Sequence, residues 1–334
     1  MNATEGERFA DFNSDRGLQE VCESNGLTRS GFATTAPTFS HLDLFMGRVQ
    51  NLKCARYFPG LKSMCVMKQL ELKEISGLEQ NSELETLWVN ECQLATLSGL
   101  DGCHRLTTLH LSGNLLTSVG TGLATLQNLT TLWLCENKLQ AIDGLHALPL
   151  LRVLWLCGNE IDTIGDGLKD NLQLEELNLA KNQVSSLRDL LHLQRLPKLT
   201  SLSLSDPHFG SNPVVQLSNY QTFVVHHLPK VQVLDAESVG VEAKALAGAI
   251  YVKKCMYYHM RCKTLKRAAA NVATRAHELL RWHSAPTFKD ARLLTAKAKE
   301  LEALLVNHRE RAAAAKAQRQ LSLGVEVGSG DGGG

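Results

Sequence analysis

The chain has 334 residues, 44 % of them apolar, enough for one large domain or two ordinary ones with a sizeable core. Its nine cysteines include no Cys-x-x-Cys pair, and no apolar run approaches the roughly 18 residues of a membrane helix; both features argue against a disulfide scaffold, a zinc ribbon and a transmembrane protein. The net charge of +1 hides two segments of opposite sign: residues 1–240 hold 18 Lys and Arg against 26 Asp and Glu, a balance of −8, whereas residues 241–323 hold 17 against 6, a balance of +11, which suggests two different jobs.

The chain begins on the charged run Met1–Arg8, which lacks the apolar core of a secretory signal. A reduced interior is therefore expected, and Asn2-Ala3-Thr4 and Asn128-Leu129-Thr130 are idle glycosylation matches. Residues 1–16 are polar and expected to be disordered. Residues 17–60 read as an N-terminal cap region, with short helices over 17–27 and 41–50 shielding the chain from Leu61 onward.

At Leu61 a repeat takes over. Leucines align on L-x-x-L-x-L-x-x-N-x-L-x-x-L with starts at Leu61, Leu84, Leu106, Leu129, Leu151, Leu174 and Leu199, spaced by 22 to 25 residues. The first repeat carries one extra residue near Gln69–Leu70. Each L-x-L predicts a short strand with inward leucines. Stacked in parallel at roughly 4.8 Å, the strands give an α/β leucine-rich repeat solenoid with a curved parallel sheet on its concave side. The column Asn114, Asn137, Asn159 and Asn182, with Cys92 in the same slot, faces inward; its amides are expected to pair buried backbone groups of adjacent turns.

The residue between the two leucines of each strand points to the concave face. That column reads Cys65, Trp88, His110, Trp133, Trp155, Asn178 and Ser203, and takes three of the four tryptophans. Leucines already fill the core slots, so Trp88, His110, Trp133 and Trp155 read as an outward-facing partner-binding stripe, with indoles whose removal leaves folding nearly intact. A cap or tail folded back over this face is the competing arrangement. Glu91 and Glu136 lie at the stripe's edge and suit a basic partner. Cys135 and Cys157 sit one repeat apart beside it. His110 is the sole further metal ligand nearby, too few for a metal site, so the cysteines read as small adaptable surface residues. Gly120-Thr121-Gly122 and Gly165-Asp166-Gly167 complete no phosphate loop. Neither a catalytic residue nor a cofactor is expected.

The last regular repeat closes at Asn212-Pro213. With Asn219-Tyr220 and Leu228–Asp235, including His226-His227, it resembles the cap of the 22-residue repeat class, so repeats and cap span 61–240. From Val241 to Trp282 there is no proline and one glycine, Gly248, which predicts a basic helix. Its cations Lys253, Lys254, Arg261, Lys263, Lys266 and Arg267 mix with aromatics, a pattern compatible with nucleic acid but more usual for a helix packed on a partner. After Pro286 a second helix places Ala291, Leu294, Ala298, Leu301, Leu305, His308 and Ala312 on a heptad-like seam, so 241–323 reads as a helical extension able to form a hairpin or coiled coil. The glycine-rich residues 324–334 are expected to be a disordered tail.

Several segments together resemble one family. Lys73-Glu74-Ile75-Ser76-Gly77-Leu78, the Trp88 strand, Leu204-Ser205-Asp206-Pro207 with Asn212-Pro213-Val214, and Met256-Tyr257-Tyr258-His259-Met260-Arg261-Cys262-Lys263-Thr264-Leu265 resemble the leucine-rich repeat-containing protein 9 family over residues 18–267. Members of that family are longer and ciliary. The resemblance implies a non-enzymatic scaffold of the cytoplasm and of the cilium or flagellum axoneme, with protein partners, a helix or peptide among them, on the concave face and along the basic helix. Acidic tubulin tails match the helix in charge. Two other expectations stand beside it: a ribonucleoprotein adaptor resembling the U2 snRNP A-prime protein, and a phosphatase regulatory subunit.

Overall fold

A computed structural model describes residues 15–28, 32–283 and 291–323. Of the disorder expected for residues 1–16 and 324–334, all but Asp15 and Arg16 lies outside these residues, as does the break expected at Pro286; Asp15 and Arg16 are ordered, as the cap and first residue of a helix. The chain divides into two compact units between Gly240 and Val241.

The first unit is a parallel-sheet solenoid. Eight strands succeed one another across the sheet: β1 His41–Phe45, β2 Ser63–Met67, β3 Thr86–Asn90, β4 Thr108–His110, β5 Thr131–Trp133, β6 Val153–Trp155, β7 Glu176–Asn178 and β8 Ser201–Ser203. A short hairpin, β9 Ser205–Asp206 and β10 Gly210–Ser211, leaves β8 before the helix α2 Tyr220–His227. Strand β11 Val233–Leu234 then pairs in parallel with β8, and β12 Glu237–Ser238 closes the edge in antiparallel fashion. Every strand leucine from Leu87 and Leu109 to Leu177 and Leu202 is fully buried. Each is worth about 1.5–3 kcal/mol against exposure, and because a turn alone cannot bury its face, that energy is collected only by stacking.

The asparagine column forms a ladder. Asn159 Nδ2 donates to Leu134 O and Leu156 O, both at 2.9 Å, and its Oδ1 accepts Leu139 N at 3.0 Å. Asn114, Asn137 and Asn182 repeat the pattern. Asn212 continues it past the hairpin, binding Leu179 O at 2.7 Å and Leu204 O at 2.8 Å. In the seven turns before Asn212 the residue preceding the asparagine slot leaves the strand with positive φ: Met46, Lys68, Glu91, Gly113, Glu136, Gly158 and Lys181 all lie between 52° and 70°. Glycine occupies this position at no steric cost in two turns; the others accept the left-handed strain as the chain turns the slot residue inward.

The N-terminal end differs from the sequence expectation. The helix α1 Arg16–Ser24 is present, capped by the Asp15 carboxylate, which accepts Leu18 N at 3.1 Å. Residues 41–50 are not helical: His41–Phe45 is the edge strand β1, in register with β2 from His41↔Ser63 to Phe45↔Met67. Its Leu42 and Leu44 fill the two core slots, so the array starts one turn earlier than Leu61. Asn25 covers the free edge by pairing with Asp43, donating to its carbonyl at 2.7 Å and accepting its N–H at 2.9 Å. In the next turn Gln69 holds the asparagine slot and accepts Val49 N at 3.1 Å. The extra residue, Leu70, is pushed out to solvent.

The C-terminal end is closed by Asp235. One of its carboxylate oxygens accepts Leu204 N and Ser205 N at 2.7 and 2.9 Å, and the other accepts the Tyr220 hydroxyl at 2.8 Å. These bonds replace what a further repeat would supply.

The second unit holds two long helices, α3 Val241–His283 and α4 Ala291–Leu323, which contact each other. On α3 the less exposed positions Tyr251, Cys255, Tyr258, Cys262, Leu265 and Ala269 recur at spacings of three and four. On α4, Ala298, Leu301, Leu305 and Ala312 are half-buried, whereas His308 is exposed and stands off this seam.

Candidate functional site

Register brings the expected residues together. The strand pairs Cys65↔Trp88, Trp88↔His110, His110↔Trp133 and Trp133↔Trp155 run directly across the sheet. Parallel strands stand about 4.8 Å apart, so rings at equivalent positions meet face to face. Four of them form one stack: centroid separations are 4.9 Å for Trp88–His110, 4.0 Å for His110–Trp133 and 4.4 Å for Trp133–Trp155, with planes within 10° of parallel.

The stack is less open than the sequence suggests. Trp88 is 39 % exposed and begins the ladder. His110, between two indoles, is only 7 % exposed, and burial lowers its pKa to about 4, so the imidazole is neutral near pH 7. Trp133 and Trp155 are half-buried. Trp155 Nε1 donates to Glu176 Oε1 at 2.6 Å; Trp133 Nε1 is buried with no partner among the described residues. Indoles packed ring on ring contribute to the fold. The expectation that Trp133 and Trp155 are dispensable for stability is therefore corrected, and Trp88 is the member of the ladder that presents its surface.

Cys135 and Cys157 are not surface residues. Cys135 is 3 % exposed and Cys157 fully buried, and with Ala180 they form a small apolar cluster covered by Trp155 and Phe209. Phe209 comes from the β9–β10 hairpin, whose turn is fixed by Asp206: its carboxylate accepts His208 N at 2.8 Å and Phe209 N at 3.3 Å. The five residues that the last repeat gains before its asparagine slot fold back to roof the C-terminal part of the concave face. Over the cysteines the cover is this insertion within the last repeat, not the cap or tail of the competing arrangement. Cys157 hydrogen-bonds to Cys135, which lowers the Cys135 pKa and raises that of Cys157. Among the described residues no three His, Cys, Asp or Glu side chains converge to hold a metal ion.

The open part of the face lies toward the N-terminal end and contains residues that sequence reasoning missed. Phe45 is 47 % exposed and Met46 80 %; Phe45 stands opposite the half-buried Met67 across β1–β2, and Met67 opposite Asn90 on the strand of Trp88. Their signal was the alternation of His41-Leu42-Asp43-Leu44-Phe45, obscured by the helical reading of 41–50. Glu91, beside Lys68 at 3.4 Å, and Glu136 are exposed along this rim.

The six cations of the basic helix, Lys253, Lys254, Arg261, Lys263, Lys266 and Arg267, are all exposed on α3. At 100° per residue they go round the helix and do not make a single basic edge. Val252, Met256 and Met260 recur every four residues and are more than half exposed, forming an apolar row on one side.

Comparison with known proteins agrees with the architecture. Residues 108–256 match the leucine-rich repeat family model. Among solved structures, internalin C2 from Listeria monocytogenes str. 4b F2365 superposes with a TM-score of 0.51 at 22 % identity, covering 66 % of this chain and 92 % of its own. A second internalin (inlF) of the same strain gives a TM-score of 0.45 at 21 % identity, covering 62 % of this chain and 64 % of its own. The family-model match and the superposition on internalin C2 place the fold in the leucine-rich repeat class. No described helix is long and apolar enough to cross a membrane.

Proposed function

We propose that the protein is a non-enzymatic interaction scaffold whose concave face, from Phe45 to Trp88 and along the ladder behind it, docks a protein partner, and that it serves as a ciliary or axonemal subunit. The observation that carries the docking role is the exposed Trp88 heading a four-ring stack on an open sheet face. A rigid indole at the end of a supported stack offers a large contact area at little entropic cost. The ciliary assignment draws on the resemblance of the Met256–Leu265 helix and the Leu204–Val214 insertion to the leucine-rich repeat-containing protein 9 family.

Proximity labelling in ciliated cells, comparing the parent with Trp88→Ala, tests both parts. Axonemal neighbours lost in the variant are expected. Labelling confined to nuclear ribonucleoproteins or to a phosphatase catalytic subunit contradicts the ciliary reading; an unchanged axonemal set contradicts the use of the concave face.

A further inference from the structure

The two units carry complementary surfaces. On the solenoid, Phe45, Met46, Met67 and Trp88 form an apolar strip across β1–β3, with Glu91, paired with Lys68 at 3.4 Å, on its rim and the exposed Glu136 two strands farther on, in a segment with a charge balance of −8. On α3, Val252, Met256 and Met260 form an exposed row, Tyr257 lies at its margin, and Lys253, Lys263 and Arg267 sit among and beside these side chains, in a segment with a balance of +11.

The dimensions also agree. Two strand spacings of about 4.8 Å and an offset of two residues along the strand put Phe45 and Trp88 roughly 12 Å apart. Eight residues of helix at 1.5 Å put Val252 and Met260 about 12 Å apart. The Phe209 hairpin roofs the face beyond Trp155, so a helix laid across the strands is steered to the N-terminal half.

Resting on the reading of the concave face as a docking surface, we infer that its occupant is the α3 helix of a second copy of this chain, with the Val252–Met256–Met260 row on the Phe45–Met67–Trp88 strip and the α3 cations toward Glu91 and Glu136. Helix-in-groove docking on anchors spaced by four residues is a common recognition mode. Two such exchanges, each copy lending its helix to the other, close a two-fold dimer.

Sedimentation velocity on the full chain tests this, at concentrations from about 1 to 100 µM and at low and high salt, because exposed charge pairs are screened when the Debye length falls to a few ångströms. The expected result is a dimer at low salt that dissociates on dilution and on adding salt. Met256→Gln and Met46→Gln each alter an exposed side chain and leave the core untouched; both are expected to weaken self-association at least about tenfold with unchanged circular dichroism. A monomer throughout the range overturns the inference, as does a dimer indifferent to both substitutions. A monomer whose axonemal labelling still depends on Trp88 would overturn this inference alone and leave the docking surface standing.

Discussion

The imidazole of His110 lies 4.0 Å from the indole of Trp133, with the two planes 3° from parallel. On its other side His110 stacks on Trp88 at 4.9 Å. Burial in this sandwich lowers its pKa to about 4 from an ordinary 6.5. Between these values the unfolded chain binds the proton and the folded chain does not, so stability rises with pH across this window and the contribution is lost as pH falls from about 6.5 toward 4. His227, also lowered to about 4 by burial, acts in the same direction. A His110→Gln variant isolates the first group. Its unfolding free energy is expected to depend less on pH in this window than the parent's, by on the order of 2 kcal/mol. Denaturant melts at pH 4.5 and 7 check this; identical pH dependence would mean that the two indole faces stabilise the imidazolium as much as burial penalises it.

The asparagine ladder makes the strongest demand on folding. Replacing Asn159 with Leu strands Leu139 N–H in a buried site, while the carbonyls of Leu134 and Leu156 each lose one donor and keep the Asn137 and Asn182 amides. A stranded buried donor costs about 1–3 kcal/mol, so Asn159→Leu is expected to lose stability by about that amount. Urea unfolding of the variant against the parent measures it. A variant as stable as the parent would mean the rung contributes nothing.

The hairpin guards two thiols. Phe209 packs on the Cys135–Cys157–Ala180 cluster, so Phe209→Ala is expected to open a path for solvent and raise the rate at which a thiol reagent modifies the pair under native conditions, by roughly tenfold or more, while the ladder keeps the solenoid folded. Mass spectrometry of labelled peptides containing Cys135 and Cys157 reads this directly. Equal rates in parent and variant would show that the thiols become reachable only by opening of the solenoid itself.

Much of this architecture was legible in the leucines. From Leu84 to Leu199 the period is regular, and register then fixes which side chains share a column, including Trp88, His110, Trp133 and Trp155. The first strand was hidden for a physical reason. In its turn Phe39 stands at the first leucine slot, Gly47 at the asparagine slot and Val49 at the slot after it, leaving Leu42, Leu44 and Leu52 of the pattern. Gly47 is small because the Gln69 amide and the Glu20 carboxylate crowd it; a Cβ would lie 2.7 and 2.3 Å from them. The burial of Cys135 and Cys157 depends on where five inserted residues fold, which no periodicity encodes. The half-burial of Trp133 arises from rings on neighbouring strands covering one another, a property of the stack and not of any one position.

Docking on the concave face is tested most directly at Trp88. Its ring stacks on one side only and is 39 % exposed, so Trp88→Ala is expected to cost the fold about 1 kcal/mol. Trp133→Ala, emptying a site between two rings, is expected to cost about 3 kcal/mol. Loss of a hot-spot indole weakens binding by about 2 kcal/mol, roughly thirtyfold. The decisive measurement is quantitative capture of the proximity-labelled partner by folded Trp88→Ala, with its thermal melt recorded alongside. The expected result is a melting temperature within a few degrees of the parent's and a loss of partner of at least tenfold. A folded Trp88→Ala protein that holds its partner as the parent does would contradict the assignment of the concave face as the docking surface.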